Sequence, residues 1–194
     1  MIEYAEPAVM VDLERYPIAD LGTLEGRALI EDCRMTLNAA GALSLPGFFL
    51  PEATAALAVE ARELAPLAYE TVRQHTCYFE PADEAFPQGH PRRHILSSRM
   101  ACVAGDHIGE TTLLRRLYHW DGLMAFIAAV LGEDRLYRHA DPLAALNINV
   151  SEPEQSLNWH FDRTDFSVTL SIETAQDGGL DRKSTRLNSS HTSI

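Results

Sequence analysis

ALNINVSEPEQSLNWHFDRTDFSVTLSI, residues 145–172, gives the clearest indication of the fold class. Its beginning, 145–150, and its end, 166–172, alternate between apolar and polar residues. An alternation with a period of two predicts two strands, each with one buried face. Upstream of this stretch the apolar residues recur every three or four positions, which predicts helices. Helices followed by strands are typical of an α+β fold, in which helices pack on a mostly antiparallel sheet.

Three upstream segments have the spacing of helices. Residues 24–38 form the first. The second begins at Pro51 and is expected to end or kink near Pro66. The third covers 113–131, with Gly132 as its C-terminal stop, and we expect it to be one continuous helix.

Two other upstream segments are interpreted from their proline and glycine residues. ALSLPGFF, residues 42–49, predicts a short strand that Pro-Gly ends. Residues 75–109, with several prolines and a glycine between 81 and 91, predict an irregular segment. Because long loops are often functional, we expect this one to cover a site.

The composition limits the classes of function. A formal charge of −12 argues against a nucleic-acid partner, because binding a phosphate backbone relies on clustered Lys and Arg. No apolar run approaches the ~18 residues of a membrane span, and the acidic start has no secretory signal pattern. The three cysteines form no Cys-x-x-Cys pair, which favours free thiols in a reducing compartment. We therefore expect a cytoplasmic protein without a nucleic-acid or membrane partner, and nothing in the sequence indicates its oligomeric state.

His-x-Asp pairs, which can supply two metal ligands, occur three times. His119 and Asp121 fall inside the predicted third helix, where positions two apart point about 200° away from each other. His139 and Asp141 precede Pro142 in a stretch that predicts a turn. Neither of these two pairs is expected to bind a metal.

The third pair, His160 and Asp162, lies between the two predicted strands. In an extended segment, positions two apart share a face, so the imidazole and the carboxylate would project into the same space. Such a pair suits Fe(II), in the arrangement of two His and one carboxylate that leaves coordination positions open. By itself the pair is at least as compatible with a structural His–Asp hydrogen bond.

The run LNINVSEPEQSLNWHFDRTDFSVTLSIETAQDGG, residues 146–179, resembles the metal-binding region of Fe(II)/2-oxoglutarate-dependent oxygenases. It is most similar to the bacterial BesD-like group of amino-acid halogenases and related hydroxylases. GALSLPGFF, residues 41–49, also resembles the N-terminal region of this group. The resemblance implies N-terminal helices packed on an incomplete double-stranded β-helix, or jelly-roll. It also implies Fe(II), with 2-oxoglutarate and O2 as co-substrates, and makes His160 and Asp162 the first His and the carboxylate of the metal triad.

Asp162 determines which reaction the resemblance implies. The halogenating relatives carry Gly or Ala at this position, which opens a coordination site for halide, so the carboxylate here implies a hydroxylase. The implied partner is a small-molecule substrate, such as a free amino acid. Two alternatives remain open: a non-catalytic β-sandwich binding module whose His–Asp pair is structural, and a cupin-type metalloenzyme that does not use 2-oxoglutarate.

Five further residues are candidates for binding small molecules. Asn147 and Asn149 alternate with apolar residues and would face the inside of a jelly-roll, near 2-oxoglutarate; a solvated or hydrogen-bonded strand face is the alternative. Asn158 and Arg163 flank the metal pair, and Arg93, in the cluster Arg92-Arg93-His94, has the side chain that pairs with a carboxylate. These three are candidate substrate-binding residues; the alternative is a surface or strand-pairing role for Asn158 and Arg163 and a short solvated loop for Arg93.

The sequence of residues 181–194 indicates that they do not come from the gene that encodes the rest of the chain. DRKSTRLNSSH, residues 181–191, agrees over eleven consecutive codons with the translation of a common sequencing-library adapter. We therefore interpret 181–194 as a non-native tail and 1–180 as one partial domain, helical over about 1–140 and carrying the first jelly-roll strands over about 141–180. On this interpretation the distal His and the 2-oxoglutarate-binding Arg are missing from the chain, and the fragment is expected to be inactive. His191, which lies in the tail, is not a candidate ligand.

Overall fold

The computed structural model describes residues 6–153 and 155–174. Its helices are α1 (Leu24–Ala40), α2 (Pro51–Leu64), α3 (Leu113–His119) and α4 (Asp121–Leu131), and its strands are β1 (Tyr69–His75), β2 (Leu96–Val103) and β3 (Ile148–Val150). Short 3-10 turns occupy Pro7–Met10, Ala65–Leu67 and Gly105–His107. This combination of helices and one antiparallel sheet is the α+β arrangement expected from the sequence. The interpreted tail 181–194 and residues 177–179, the Asp-Gly-Gly end of the run that resembles the oxygenases, lie outside the described residues.

Local signals in the sequence define the first two helices. The Thr23 side chain accepts a hydrogen bond from the backbone N–H of Gly26 at the start of α1, and Gly41 ends this helix with a φ of 69°. Helix α2 begins at Pro51 and gives way to a 3-10 turn that contains Pro66. Both helices, and the end of α2 near Pro66, are confirmed.

The prediction of one continuous helix over 113–131 was wrong, because Trp120 is extended and separates α3 from α4. At Gly122 a Cβ atom would lie 2.7 Å from atoms of the Trp120 indole, so the ring lies over a residue without a side chain. The half-buried ring also packs against the core. A single extended residue leaves the spacing of apolar residues almost unchanged, which is why the pattern did not reveal the break.

The sheet has the order β1-β2-β3, with both pairs antiparallel. His75 at the end of β1 pairs with Leu96 at the start of β2. Beyond β3 the chain continues beside β2, where the Arg99 N–H donates to the Ser156 carbonyl at 2.9 Å. One end of the sheet therefore brings together the end of β1, the start of β2 and the residues that follow Ser156.

The prediction of an irregular segment over 75–109 was wrong in its second half, which contains β2. Strand β1 was also missed, because almost all of its side chains are exposed and no alternation of burial marks it. Its pairing with β2 over the whole of Tyr69–His75 stabilises it instead. Such long-range pairing leaves little trace in a local pattern.

Three predicted strands are corrected as well. Only Ile148–Val150 of 145–150 is a strand. Residues 42–49 form no strand apart from a bridge of Phe49 to Val11, since the backbone turns at Gly47, which has a φ of 72°. Residues 166–172 are not paired either: their alternation reflects half-buried Leu170 and Ile172, which pack on the core without joining the sheet.

Three apolar clusters form the core around this sheet. One joins the N-terminal segment, α1 and α4 through residues that include Tyr16, Cys33 and Phe126. A second packs Leu57 of α2 against Val103 and Ile148 of the sheet, and a smaller third cluster connects the two. The helices therefore cover the sheet at the end where β3 pairs, and the other end is left open for the candidate site. Within the described part of the chain, no helix is both long and apolar enough to cross a membrane.

Candidate metal site at the end of the sheet

Backbone and side-chain hydrogen bonds anchor residues 158–163 at the open end of the sheet. The Asn158 side-chain amide donates to the Ser97 carbonyl of β2 at 2.6 Å. The backbone N–H of Phe161 donates to the Cys77 carbonyl at 2.8 Å, and the Phe161 ring stacks on Tyr78, with centroids 5.1 Å apart. The loop between β1 and β2 therefore packs directly against the His160 segment.

His160 and Asp162 converge in this anchored segment. His160 Nε2 and Asp162 Oδ1 are 3.0 Å apart, and the two side chains are 19% and 40% exposed. Two ligand atoms about 2.1 Å from one metal ion and at right angles are about 3 Å apart. The separation in the structure therefore fits two neighbouring ligands of an octahedral ion, and it also fits a direct hydrogen bond.

The other nitrogen of the His160 ring has a backbone partner. Nδ1 lies 2.8 Å from the Asn158 carbonyl oxygen, which can only accept, so Nδ1 carries a hydrogen and donates. Metal-binding histidines usually donate their second N–H in this way, which fixes the tautomer and the orientation of the ring. Nε2, which faces Asp162, is then the nitrogen available to a metal.

Both non-glycine residues with positive φ among the described residues lie at this site: Phe79 at 57° and Asn158 at 56°. Asn tolerates this left-handed conformation, whereas a bulky residue adopts it at a cost. At Phe79 a tight turn imposes it, in which the Phe79 N–H donates to the Thr76 carbonyl at 2.9 Å. The Phe79 ring lies next to both His75 and His160, with centroid distances of 4.6 and 5.0 Å.

An open depression of about 520 Å³ lies beside Asp162. Six residues line it: Arg73, Gln74, His75, Phe79, Asp162 and Arg163. Arg163 is exposed and donates to the Phe79 carbonyl at 3.1 Å. Of the three candidate substrate-binding residues, only Arg163 lines this depression. Asn158 lies outside the lining and instead orients the His160 ring through its carbonyl.

Arg93 does not reach the site. Its guanidinium is half-buried within the loop and donates to the Phe86 carbonyl at 3.1 Å. Its neighbour Arg92 pairs with Glu80 at 2.9 Å and lies over the Tyr78 ring. Both arginines thus stabilise the loop between β1 and β2.

Asn147 and Asn149 lie at the opposite end of the sheet from His160. Both side chains are exposed, whereas Ile148 between them is buried, so the predicted alternation is confirmed. Asn149 pairs with Cys102, five positions along β2 from Ser97, or roughly 17 Å at about 3.3 Å per residue. The structure therefore does not bring these amides to the metal pair.

The other two His-x-Asp pairs do not converge. His139 Nδ1 accepts from the Asp141 N–H at 3.1 Å, as expected for a turn. Asp121 pairs with Arg138 at 2.6 Å, while His119 lies 4.0 Å from Glu110. The argument from a continuous helix was wrong for His119 and Asp121, but separate partners still keep them apart.

A complete metal site is not found in the described part of the chain, where no group of three or more His, Cys, Asp or Glu side chains is placed to hold an ion. The cysteines do not extend the pair either. Burial raises the pKa of the Cys33, Cys77 and Cys102 thiols, which disfavours the thiolate that a metal requires. His160 Nε2 and Asp162 Oδ1 are thus two candidate ligand atoms, and a metal site would require a third.

Five residues around the site were not singled out from the sequence: Arg73, Gln74, His75, Phe79 and Ser98. Each lies on β1, on β2 or in the turn after β1, roughly sixty to ninety positions from His160 in the sequence. The only local signal was the run His75-Thr-Cys-Tyr-Phe79 at the end of a polar stretch. Their position near the His160 segment depends on the register of the sheet, which the sequence pattern did not reveal.

Comparison of the chain with protein-family models, with curated proteins and with solved structures gives no match.

Proposed function

We propose that this chain belongs to a mononuclear Fe(II)- and 2-oxoglutarate-dependent oxygenase that hydroxylates a small polar substrate, such as a free amino acid, in the cytoplasm. In this proposal His160 and Asp162 are two of the protein ligands of the iron. The observation that carries it is the 3.0 Å separation of His160 Nε2 and Asp162 Oδ1, together with the hydrogen bond of Nδ1 to the Asn158 carbonyl.

The donor atoms fit the proposed metal in type as well as in position. An imidazole nitrogen and a carboxylate oxygen are the ligands of the Fe(II) sites that use two His and one carboxylate. Because the depression is open beside Asp162, small molecules can reach the pair from that side. Bound Fe(II), 2-oxoglutarate and O2 would supply the oxidising chemistry, while the chain holds the ion and orients what binds next to it.

Arg73 and Arg163 give the depression a positive lining around Asp162. Guanidinium groups bind carboxylates through paired hydrogen bonds, so this lining suits a ligand with an anionic group. The small polar substrate of the proposal, or 2-oxoglutarate itself, has such a group.

The proposal of hydroxylation rather than halogenation depends on Asp162. The resemblance aligns this carboxylate with the Gly or Ala that leaves room for a halide in the halogenating enzymes, and in the structure the side chain points at His160 Nε2. A carboxylate that stays on the metal leaves no position for the halide.

We extend the proposal to the fold, in which the sheet β1-β2-β3 would be the first part of a double-stranded β-helix. Helix α2 packs on the sheet through Leu57, Val103 and Ile148. Ser98 and Asn149 lie on the opposite face, because Asn149 pairs with Cys102 and residues two or four apart on a strand share a face. In a jelly-roll, helices cover the outer face of a sheet and the other face lines the site, which is the arrangement proposed here.

The direct contact between His160 and Asp162 also favours a second candidate function. The same 3.0 Å describes a hydrogen bond that fixes the segment 158–163 in a non-catalytic binding module. In that case neither side chain would bind a metal with measurable affinity. A cupin-type metalloenzyme, the other alternative, would bind metal without any effect of 2-oxoglutarate.

Titration with Mn(II), a redox-stable substitute for Fe(II), tests the proposal through the paramagnetic resonance signal of free ion. We expect one weak site on the unmodified chain and a loss of affinity of at least about tenfold in His160→Ala and in Asp162→Ala. The variants His119→Ala and His139→Ala are matched controls, since each removes the His of another His-x-Asp pair. Equal binding by all five proteins, or none by the unmodified chain, would show that the His160–Asp162 pair is structural.

A second titration with 2-oxoglutarate present separates the two kinds of metalloenzyme. If 2-oxoglutarate chelates the ion in this site, Mn(II) binds more tightly in its presence, because coupling between two ligands is reciprocal. Succinate, which has no keto group for chelation, is the matched control. An Mn(II) affinity that 2-oxoglutarate leaves unchanged would contradict the oxygenase and favour the cupin-type alternative.

A further inference from the structure

We infer that His75 and Ser98 are positioning residues, which set the orientation of the His160 ring through the backbone of Leu157 and Asn158. The consequence for metal binding rests on the proposed function, but the positioning itself is a property of the metal-free chain.

The first step is a buried hydrogen-bonded pair on one face of the sheet. His75 and Ser98 are each 4% exposed, and His75 Nε2 lies 2.7 Å from the Ser98 hydroxyl oxygen. His75 Nδ1 lies 2.7 Å from the Thr76 carbonyl, which accepts a hydrogen bond from it. With both nitrogens engaged, the ring has a fixed orientation and keeps the Ser98 hydroxyl in place.

The second step leads from the sheet to the His160 segment. The Ser98 hydroxyl oxygen lies within hydrogen-bonding distance of the Leu157 carbonyl as well as of His75 Nε2, so it bridges His75 and the backbone immediately before Asn158. The Asn158 amide adds its bond to the Ser97 carbonyl at 2.6 Å. Two neighbouring residues of β2 therefore hold the two residues that precede Trp159.

The third step is the turn at Asn158. A φ of 56° directs the Asn158 carbonyl toward its own chain two residues on, where it accepts from His160 Nδ1 at 2.8 Å. The direction of this carbonyl depends on the peptide before it, which is the one that Ser98 holds. Rotation of that peptide would turn the carbonyl and with it the imidazole.

The rings provide a second connection between the same residues. Phe79 lies between His75 and His160, with centroids 4.6 and 5.0 Å away. A shift of His75 would thus change the position of Phe79 as well as that of Ser98. Partners that orient a metal-binding His typically change metal affinity by about 10- to 100-fold when they are removed.

Ser98→Ala tests the inference, with Ser97→Ala as its matched control. The control removes an exposed hydroxyl at the neighbouring position, whose side chain points to the other face of the sheet. We expect the ¹⁵N resonances of the His160 ring to change in Ser98→Ala, where the hydrogen bond at Nδ1 is weakened, and to stay unchanged in Ser97→Ala. Ser98→Thr, which keeps a hydroxyl, should restore them. This readout needs no metal.

His75→Phe is a second variant, in case Ser98→Ala does not fold. It keeps an aromatic ring beside Phe79 but removes both nitrogens, and it should change the His160 resonances in the same direction. If the resonances in folded Ser98→Ala or His75→Phe match those of the unmodified chain, the inference is wrong. It is equally wrong if Ser97→Ala changes them as much as Ser98→Ala does.

Mn(II) titration of the same proteins connects the positioning to the proposed function. We expect Ser98→Ala to bind the ion about 10-fold more weakly than Ser97→Ala does, at similar thermal stability of the two. If the unmodified chain binds no Mn(II) while its His160 resonances still respond to Ser98→Ala, the proposed function fails and the positioning stands. If the chain binds Mn(II) and Ser98→Ala binds it equally well, the positioning role fails and the metal site stands.

Discussion

At the scale of single residues, the candidate site depends on the backbone conformation of Asn158. Its positive φ lets one carbonyl accept from the ring two residues later, and its side chain ties the turn to β2. Asn is among the residues that adopt this conformation at low cost, while other side chains with a Cβ lose about 1–2 kcal/mol there. The choice of residue at 158 therefore affects both stability and the direction of His160.

A comparison of Asn158→Ala with Asn158→Gly measures the free-energy cost of a positive φ for a residue with a Cβ at position 158. Both variants lose the amide bond to Ser97, but only Ala is strained at a φ of 56°. We expect Asn158→Ala to have a free energy of unfolding about 1 kcal/mol below that of Asn158→Gly, after the greater entropy of the unfolded Gly chain is allowed for. Urea denaturation gives the two values. Equal stabilities would show that the turn relaxes to another conformation in the Ala variant.

The cysteines give a residue-scale prediction with a pH dependence. Burial, assisted by the neighbouring Asp32, raises the pKa of Cys33, whose residue is 3% exposed. A raised pKa means that less thiolate is present near neutral pH, and the thiolate is the reactive form. We expect Cys33 to be the slowest of the three cysteines to react with a maleimide in the folded chain, with a rate that rises as the pH is raised.

Variants with a single remaining cysteine allow the three rates to be measured one at a time. Cys77 and Cys102, which are half-buried, should react faster than Cys33, and all three should react at similar rates in urea. Fast labelling of Cys33 in the native chain would contradict its burial on the face of α1 that packs against the core.

At the level of the secondary-structure elements, a side chain of α2 caps the N-terminus of α3. The Glu60 carboxylate of α2 accepts from the N–H groups of Leu113 and Leu114 at 2.7 and 2.9 Å, while the Thr112 hydroxyl caps Arg115. These N–H groups have no partner within the helix, and a negative charge at this end is favourable. The start of α3 is therefore determined partly by a residue more than fifty positions earlier.

Glu60→Gln should lower the free energy of unfolding by about 1 kcal/mol, because the amide keeps one acceptor oxygen but loses the charge and the second acceptor. Glu63→Gln is a matched control on the same helix, at an exposed position. Thermal or urea unfolding measures the difference. A loss of equal size in both variants would show a general effect of charge rather than capping.

The connection from β2 to α3 depends on the absence of a side chain at Gly105. A Cβ there would collide with the Pro142 carbonyl oxygen and lie 2.9 Å from that of Leu146. The guanidinium of Arg115, which is buried, donates to the carbonyls of Gly105 and Ile108 and so holds the same turn from the other side. The approach to β3 is thus closely packed.

Gly105→Ala should destabilise the chain by about 1–3 kcal/mol, the usual cost of overpacking. Gly109→Ala is the matched control, since a Cβ at Gly109 would have its nearest neighbour at 3.9 Å. If circular dichroism melts give the same midpoint for both variants, the close approach of Gly105 to the 142–146 segment is not maintained in solution.

At the scale of the whole molecule, the sequence predicted what depends on neighbours along the chain. The bounds of α1, the start of α2 and its end near Pro66 follow from caps, a proline and a glycine close by. The convergence of His160 and Asp162 was equally local, because it needs only two positions in one short segment. The α+β class followed from the change in the spacing of apolar residues.

What the sequence did not predict depends on partners that are distant along the chain. Strand β1 is polar and exposed, so only its pairing with β2 identifies it. The alternation over 166–172 was assigned to a strand although Leu170 and Ile172 pack on helices and sheet without a backbone partner. The spacing of apolar residues indicates which side chains are buried, but it does not distinguish side-chain packing from backbone pairing in a strand.

The same limit applies to the residues around the site. Asn149 was expected near 2-oxoglutarate because it alternates with apolar residues and would face the inside of a jelly-roll, but the register of β3 on β2 puts it at the far end of the sheet from His160. Arg73, His75, Phe79 and Ser98 reach the site through that same sheet. The pair itself was found from the sequence, while its surroundings required the tertiary structure.

The bond between Arg99 and Ser156 has a consequence for how such a chain can change during evolution. Val150 pairs with Ala101 and Ser156 with Arg99, so the position of His160 relative to β2 depends on the pairing of Ser156 rather than on β3. Insertions or deletions between Val150 and Ser156 would leave His160 in place, as long as Ser156 still pairs with Arg99. A single insertion after Ser156 would instead displace His160 from Asn158 and the depression, so we expect homologous chains to vary in length before residue 156 and to be uniform from there to Asp162.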